Sequence, residues 1–203
     1  MRSFPFFAAR QSSPRHRLIA AWVAVFIGWG CGLAHAQGGV TLDGVKQVWV
    51  QTRDGQRIDL GTLRFTPQDD GRSRFVLSLN PAIWRDYFLS MKEFKCLPAD
   101  AEVSCHVPYP YANPATVAPG DYAWLELSLL FLFKTPAEFG AKLWNGVYFA
   151  LQAEGDRLVG VPMAVDLNHI SAPPDDPGIP PLGPLEREPY PAGARWISRL
   201  VIQ

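Results

Sequence analysis

Short apolar segments with a period of two, punctuated by turn-forming clusters, recur along this chain and limit it to a strand-rich fold. Phe75, Leu77 and Leu79 alternate with Arg74, Val76 and Ser78, the pattern of a strand with one buried face. Val45, Val48, Trp49 and Val50 predict a strand before it, and Ile58, Leu60, Leu63 and Phe65 another, loosened at Gly61. Arg53-Asp54-Gly55 and Pro67-Gln68-Asp69-Asp70-Gly71 supply the turns. The three segments make a meander. Further on, Val147, Phe149 and Leu151 alternate with Tyr148 and Gln152, Glu154-Gly155-Asp156 turns the chain, and Leu158 to Leu167 returns as the partner. Trp196 to Ile202 predicts a last strand.

Helical signals are fewer. Asn80-Pro81 is a cap followed by proline at the first helical position. Ile83, Trp84, Tyr87, Phe88 and Met91 follow at helical spacing, predicting a short helix laid across the sheet. Thr135-Pro136-Ala137-Glu138 has the form of a capping box and predicts a second short helix through Leu143. Between Asp121 and Phe133 the chain is so apolar that periodicity is consistent with either a buried helix or a buried strand. From Ser171 to Pro191 eight residues in 21 are proline, which predicts an extended surface segment. The expected fold is mainly β (α+β). It is an antiparallel meander forming a barrel or a sandwich of about eight strands, with two or three short helices.

The N-terminus sets the compartment. Arg2, Arg10, Arg15 and Arg17 are the charged residues of the first 36, an apolar run extends from Leu18 to Ala34, and Ala34-His35-Ala36 closes it. A basic start, an apolar middle and a small-x-small exit make a secretory signal peptide, with cleavage expected after Ala36. The rival is an uncleaved anchor, which needs about 20 apolar residues; Gly28, Gly30 and Gly32 suit a cleavage region better. The expected organisation is a leader at 1–36 and a single globular domain at 37–203, with its Pro-rich surface segment at 171–191. Without the leader, 15 basic residues face 19 acidic ones, a net charge of −4. That sign argues against nucleic acid and against anionic lipid surfaces, so contact with a membrane is expected during export alone.

Cys96 and Cys105 are the cysteines left after cleavage. An even count in an oxidising compartment predicts a disulfide. The residues around each look like short strands, and Pro98 to Glu102 is turn material, so the two thiols can face each other across a hairpin. A metal site using both cysteines and His106 lacks a fourth ligand; neither metal nor cofactor is expected. Tyr109 and Tyr111 lie in an extended Pro-Tyr-Pro-Tyr loop after His106. Phe94-Lys95-Cys96, Cys105 to Tyr111 and Leu143-Trp144-Asn145-Gly146-Val147-Tyr148 resemble stretches of a family of uncharacterised exported bacterial proteins, and the resemblance covers most of residues 37–203. It implies a compartment and no activity.

Catalytic signals are thin. No H-E-x-x-H, G-x-S-x-G or phosphate-binding glycine loop is present. His106 and His169 are the histidines beyond the leader, and Asp166 precedes His169 closely enough for acid–base work. The sequence therefore points to a periplasmic or secreted module that binds a small apolar ligand or an envelope protein without catalysis. The alternative is a periplasmic hydrolase using His106 or His169. Trp144, Asn145 and Gly146 are expected to be structural, with positive φ at the Asn-Gly pair and either Leu143 or Trp144 packed beneath the junction. Protein recovered from the periplasm is expected to begin at Gln37, which N-terminal sequencing checks; membrane-bound protein beginning at Met1 gives the anchor.

Overall fold

The computed structural model describes residues 40–89 and 92–203, without the side chain of Lys92. The leader and Met91 lie outside the described residues.

The alternating segments form strands as their period requires. The meander is β1 (Gly44–Thr52), β2 (Arg57–Pro67) and β3 (Ser73–Leu79). The hairpin of β5 (Lys92–Pro98) and β6 (Val103–His106) follows β4 (Arg85–Leu89). After the short β7 (Thr116–Val117) come the helix α1 (Ala123–Ser128) and β8 (Phe131–Lys134). The second hairpin is β9 (Gly146–Glu154) and β10 (Arg157–Val165), and the chain closes with β11 (Glu188–Pro189) and β12 (Ile197–Ile202).

All pairings of these strands are antiparallel and join them in one sheet, ordered β4-β5-β6-β8-β9-β10-β12-β1-β2-β3-β7, with β11 added to β10. The sheet does not close into a barrel; it is sandwich-like. The C-terminal β12 stands between β10 and β1, so it joins the first meander to the later strands. Its Leu200, Val201 and Ile202 are buried. Third from one edge of the sheet, between β5 and β8, β6 is buried at all four positions. The outer β3 keeps an alternation, with Phe75 inside and Val76 in solvent.

Three expectations change. The apolar run at 121–133 is neither a helix nor a strand throughout: α1 ends at Ser128 and β8 starts at Phe131, with both pieces in the core. The helix expected after Asn80 stops at a single 3-10 turn, Pro81–Ile83. The cap forms, since the Asn80 side chain accepts the N–H of Ala82 at 3.1 Å, but Trp84 is extended and the following residues pair with β5. An isolated helix this short is marginal, and strand pairing overrides it. Leu89 then points inward, while Phe88 is 75% exposed. The helix expected at 135–143 is likewise a turn. The Glu138 carboxylate accepts the Thr135 N–H at 2.7 Å, half of the capping box, yet Gly140 takes a φ of +74° and leaves the helical path.

The disulfide is present as expected. Cys96 pairs with Cys105 across the hairpin, with their Cα atoms 3.9 Å apart, and both are fully buried. Their sequence separation of 9 makes a small ring, and closing it stabilises by about 2–3 kcal/mol on the chain-entropy model. A Cys96→Ala, Cys105→Ala variant is expected to lose at least that amount in urea unfolding. The intact protein should be two hydrogens lighter than its reduced form by mass spectrometry.

Candidate functional site

The residues singled out in the sequence fall into two groups. His106, Tyr109 and Tyr111 belong to the interior and its ties; Asp166, His169 and Trp144 meet at the surface.

His106 is the last residue of β6 and is 9% exposed. Its ring lies 5.5 Å from Phe131 and 6.0 Å from Trp84, centre to centre. Burial pushes its pKa down, partly offset by a hydrogen bond to the Ser128 carbonyl. A carbonyl only accepts, so Nε2 carries a proton and donates it to Ser128 O at 2.9 Å. A neutral ring committed in this way fixes the loop after β6. Tyr109 is buried against Tyr111 and Trp124. Tyr111 donates its hydroxyl to Ser171 O at 2.9 Å.

That bond reaches the second group. After β10 the chain makes a 3-10 turn, Leu167–Ile170, held by buried Leu167 and Ile170. Asp166 caps it: one carboxylate oxygen accepts the Asn168 backbone N–H at 2.9 Å and its side-chain amide at 2.7 Å. His169 is left exposed on the turn. Asp166 thus holds the turn: its carbonyl accepts the His169 backbone N–H at 3.2 Å, and its carboxylate is taken by Asn168. His106 and His169 lie on different elements with different tasks.

The Leu143-Trp144-Asn145-Gly146 junction stands beside this turn. Leu143 O accepts the Leu167 N–H at 2.8 Å, and Leu143 is the residue that packs inward. Trp144 is 63% exposed, so it is not a structural anchor. Asn145 and Gly146 are structural, for another reason than positive φ, which neither adopts. A Cβ on Gly146 would stand 2.6 Å from Val165 O and 2.7 Å from Leu167 Cγ. Close approach of the two walls demands glycine there. Asn145 O accepts the Phe133 N–H at 3.0 Å, and its side-chain amide donates to Phe133 O at 3.3 Å.

A third wall comes from the Pro-rich segment, which is more than a surface wrap. It makes the 3-10 turn Pro184–Glu186, buries Leu182 and adds β11 to β10. Two arginines fasten it. Arg187 donates Nε–H to Leu182 O at 2.7 Å, places its guanidinium 3.8 Å from the centre of the Tyr148 ring, and brings Nη1 to 3.9 Å from Glu126 Oε2. Arg195, just beyond, stacks 3.3 Å from the Phe133 ring and faces Glu102 at 3.6 Å. Tyr190 donates its hydroxyl to Gly146 O at 2.9 Å.

Glu126 is the centre of the first fastening. This carboxylate on α1 is 6% exposed, accepts the Leu151 N–H at 2.6 Å and accepts the Tyr148 hydroxyl. Burial raises its pKa against the pull of those bonds and of Arg187. The Tyr148 hydroxyl is held well above the usual tyrosine range, first by burial and then by the Glu126 charge.

With Arg187 turned inward, its neighbours Leu185, Glu186 and Glu188 face out. Together with Trp144, Asp166 and His169 they line a solvent-open groove of about 340 Å³. Leu185 is 96% exposed. A larger cleft of about 510 Å³ lies at the Cys hairpin, between Arg53, Asp100 and Trp196. On its floor Glu102 accepts from Ser104 Oγ at 3.0 Å and from the Trp196 N–H at 3.3 Å and pairs with Arg195 at 3.6 Å, while the buried Arg195 Nη1 has no hydrogen-bond partner. Among the described residues no cluster of three or more metal-ligating side chains forms, and no helix is long and apolar enough to cross a membrane.

Sequence reasoning passed over Glu126, Tyr148, Arg187 and the Leu185 to Glu188 stretch. Two signals were there. Glu126 is an isolated charge inside an apolar run, and Leu-Glu-Arg-Glu at 185–188 is a charged island among prolines. Comparison with family models, with curated proteins and with solved structures yields no match.

Replacing Arg187 by Met leaves Glu126 buried without its cation and is expected to cost about 3 kcal/mol at neutral pH. The pH dependence has a defined sign. Glu126 titrates above 4.5 when folded, so its proton-linked contribution is full below 4.5 and is lost as pH rises through the raised value. The cost of Arg187→Met should therefore shrink on acidification toward 4.5. Urea unfolding of both proteins across that range checks it, and a Glu126→Gln background should abolish the trend.

Proposed function

We propose that this chain is an exported, non-catalytic binding module of the bacterial envelope, related to the uncharacterised exported proteins it resembles, and that it works through the groove of Trp144, Leu185, Asp166 and His169. The observation that carries this reading is the exposure of two large apolar side chains, Trp144 and Leu185, in one groove built by three separate segments. Exposed apolar groups gathered in a concavity mark interaction sites, and tryptophan is enriched among residues that dominate binding.

The histidines support the non-catalytic side of the reading. His106 is buried and engaged with Ser128, and the carboxylate nearest His169 in sequence is committed to Asn168. General acid–base catalysis needs a titrating group within reach of substrate and oriented by a partner. The Cys96–Cys105 pair supports export, because such bonds persist in oxidising compartments. The openness of the groove favours an envelope protein over a small apolar ligand, which binds best when mostly enclosed.

Position-specific photo-crosslinking in living cells tests the reading. A photoreactive side chain at Trp144 should capture an envelope component. The same group at Val76, an exposed position on β3, should not. Equal labelling from both positions counts against the binding module.

A further inference from the structure

The charge around the groove indicates what kind of partner fits it. Asp166, Glu186 and Glu188 line it, and among the described residues none of the three has an ion-pair partner. The basic residues nearest in sequence are engaged elsewhere. Arg187, between the two glutamates, is turned to Glu126 and Tyr148, and Lys142 pairs with Glu138. The groove thus sets three carboxylates around an exposed indole and an exposed Leu185.

We infer that the groove docks an extended protein segment in which lysine or arginine alternates with apolar residues. This rests on the binding-module reading above and adds the chemistry of the partner. Three carboxylates complement cationic side chains and disfavour acidic partners, because like charges brought together at an interface cost several kcal/mol. An indole face is the best aromatic platform for an ammonium or guanidinium group, and Leu185 offers apolar area for the neighbouring residue. A small organic cation is a poorer occupant. Ligands of that size are usually held in pockets that bury most of their surface, and this groove of about 340 Å³ stands open to solvent. Anionic membrane surfaces are repelled by the same carboxylates.

The full chain, exported and purified from the periplasm, should be titrated with a fluorescent octapeptide of alternating lysine and leucine. Controls are a glutamate–leucine octapeptide, a lysine–serine octapeptide and free cadaverine. The lysine–leucine peptide is expected to bind and to change Trp144 fluorescence, more weakly as salt rises. The Asp166→Asn, Glu186→Gln, Glu188→Gln variant and the Trp144→Ala variant should each weaken binding by about tenfold. Their thermal unfolding should match the wild type, since these side chains are exposed or half-buried and the Asp166→Asn change keeps a side-chain oxygen for the cap. Equal binding of the glutamate–leucine peptide, or unchanged affinity in the triple variant, overturns the charge inference; with Trp144 still required, the binding-module reading stands. Cadaverine displacing the peptide at equal concentration overturns the choice of a protein segment. If no peptide binds and Trp144 also captures nothing in cells, both readings fall.

Discussion

The buried carboxylate of Glu126 is the constraint around which the later half of the chain is arranged. An ionised carboxyl in a protein core is tolerated only with full compensation, and here the compensation comes from three groups on two segments. The Leu151 N–H and the Tyr148 hydroxyl come from β9, and the Arg187 guanidinium comes from the Pro-rich segment. A single side chain thereby ties a six-residue helix to the sheet and to a stretch with little secondary structure of its own. Propensity alone would not hold that stretch. Leu182 is buried in the body of the fold, Arg187 reaches Glu126 and the Tyr148 ring, and Tyr190 bonds Gly146 O and packs against Phe133.

A second pair repeats the device. Arg195 stacks on Phe133 and faces Glu102, whose carboxylate also receives Ser104 and the Trp196 N–H. Glu102 sits on the turn of the disulfide hairpin, so the covalent link and the ion pair hold neighbouring ends of one unit. The start of β12 is anchored there before it enters between β10 and β1. In both places arginine does what lysine could not, since its planar group stacks on a ring while its N–H groups address a carboxylate or carbonyl. The groove is a by-product of the first fastening. Turning Arg187 inward leaves its acidic neighbours outside, next to Trp144.

Much of the fold was legible because its signals are local. Period-two alternation at 74–79 and 147–152, the turns at Asp54-Gly55 and Gly155, and the cysteine hairpin all appear where they were expected. The misjudged elements are those in which a local helix signal met a non-local competitor. Asn80-Pro81 begins a helical turn, but the residues after it complete a ladder with β5. Thr135 to Glu138 begins a capping box, but Gly140 redirects the chain toward the junction at Asn145. Trp144 was misjudged differently: tryptophan is usually packed, and nothing in its neighbours says that Leu143 takes the inward place.

The sequence alone determined the strand-rich class, the cysteine pairing and the order of hairpins, because alternation, turn chemistry and short-range covalent geometry act within a few residues. It also brought forward Asp166, His169 and Trp144 as separate points of interest. That they share one groove was decided by tertiary structure. The β9–β10 hairpin brings residues 144 and 166 together, and the Glu126–Arg187 contact brings in residues 185–188 from a segment with no periodicity. Long-range burial of charge leaves no local pattern, since the cost of a buried carboxylate and the cation that offsets it are 61 residues apart in the chain. For the same reason the sign of the groove's field was unreadable: it depends on which way one arginine points.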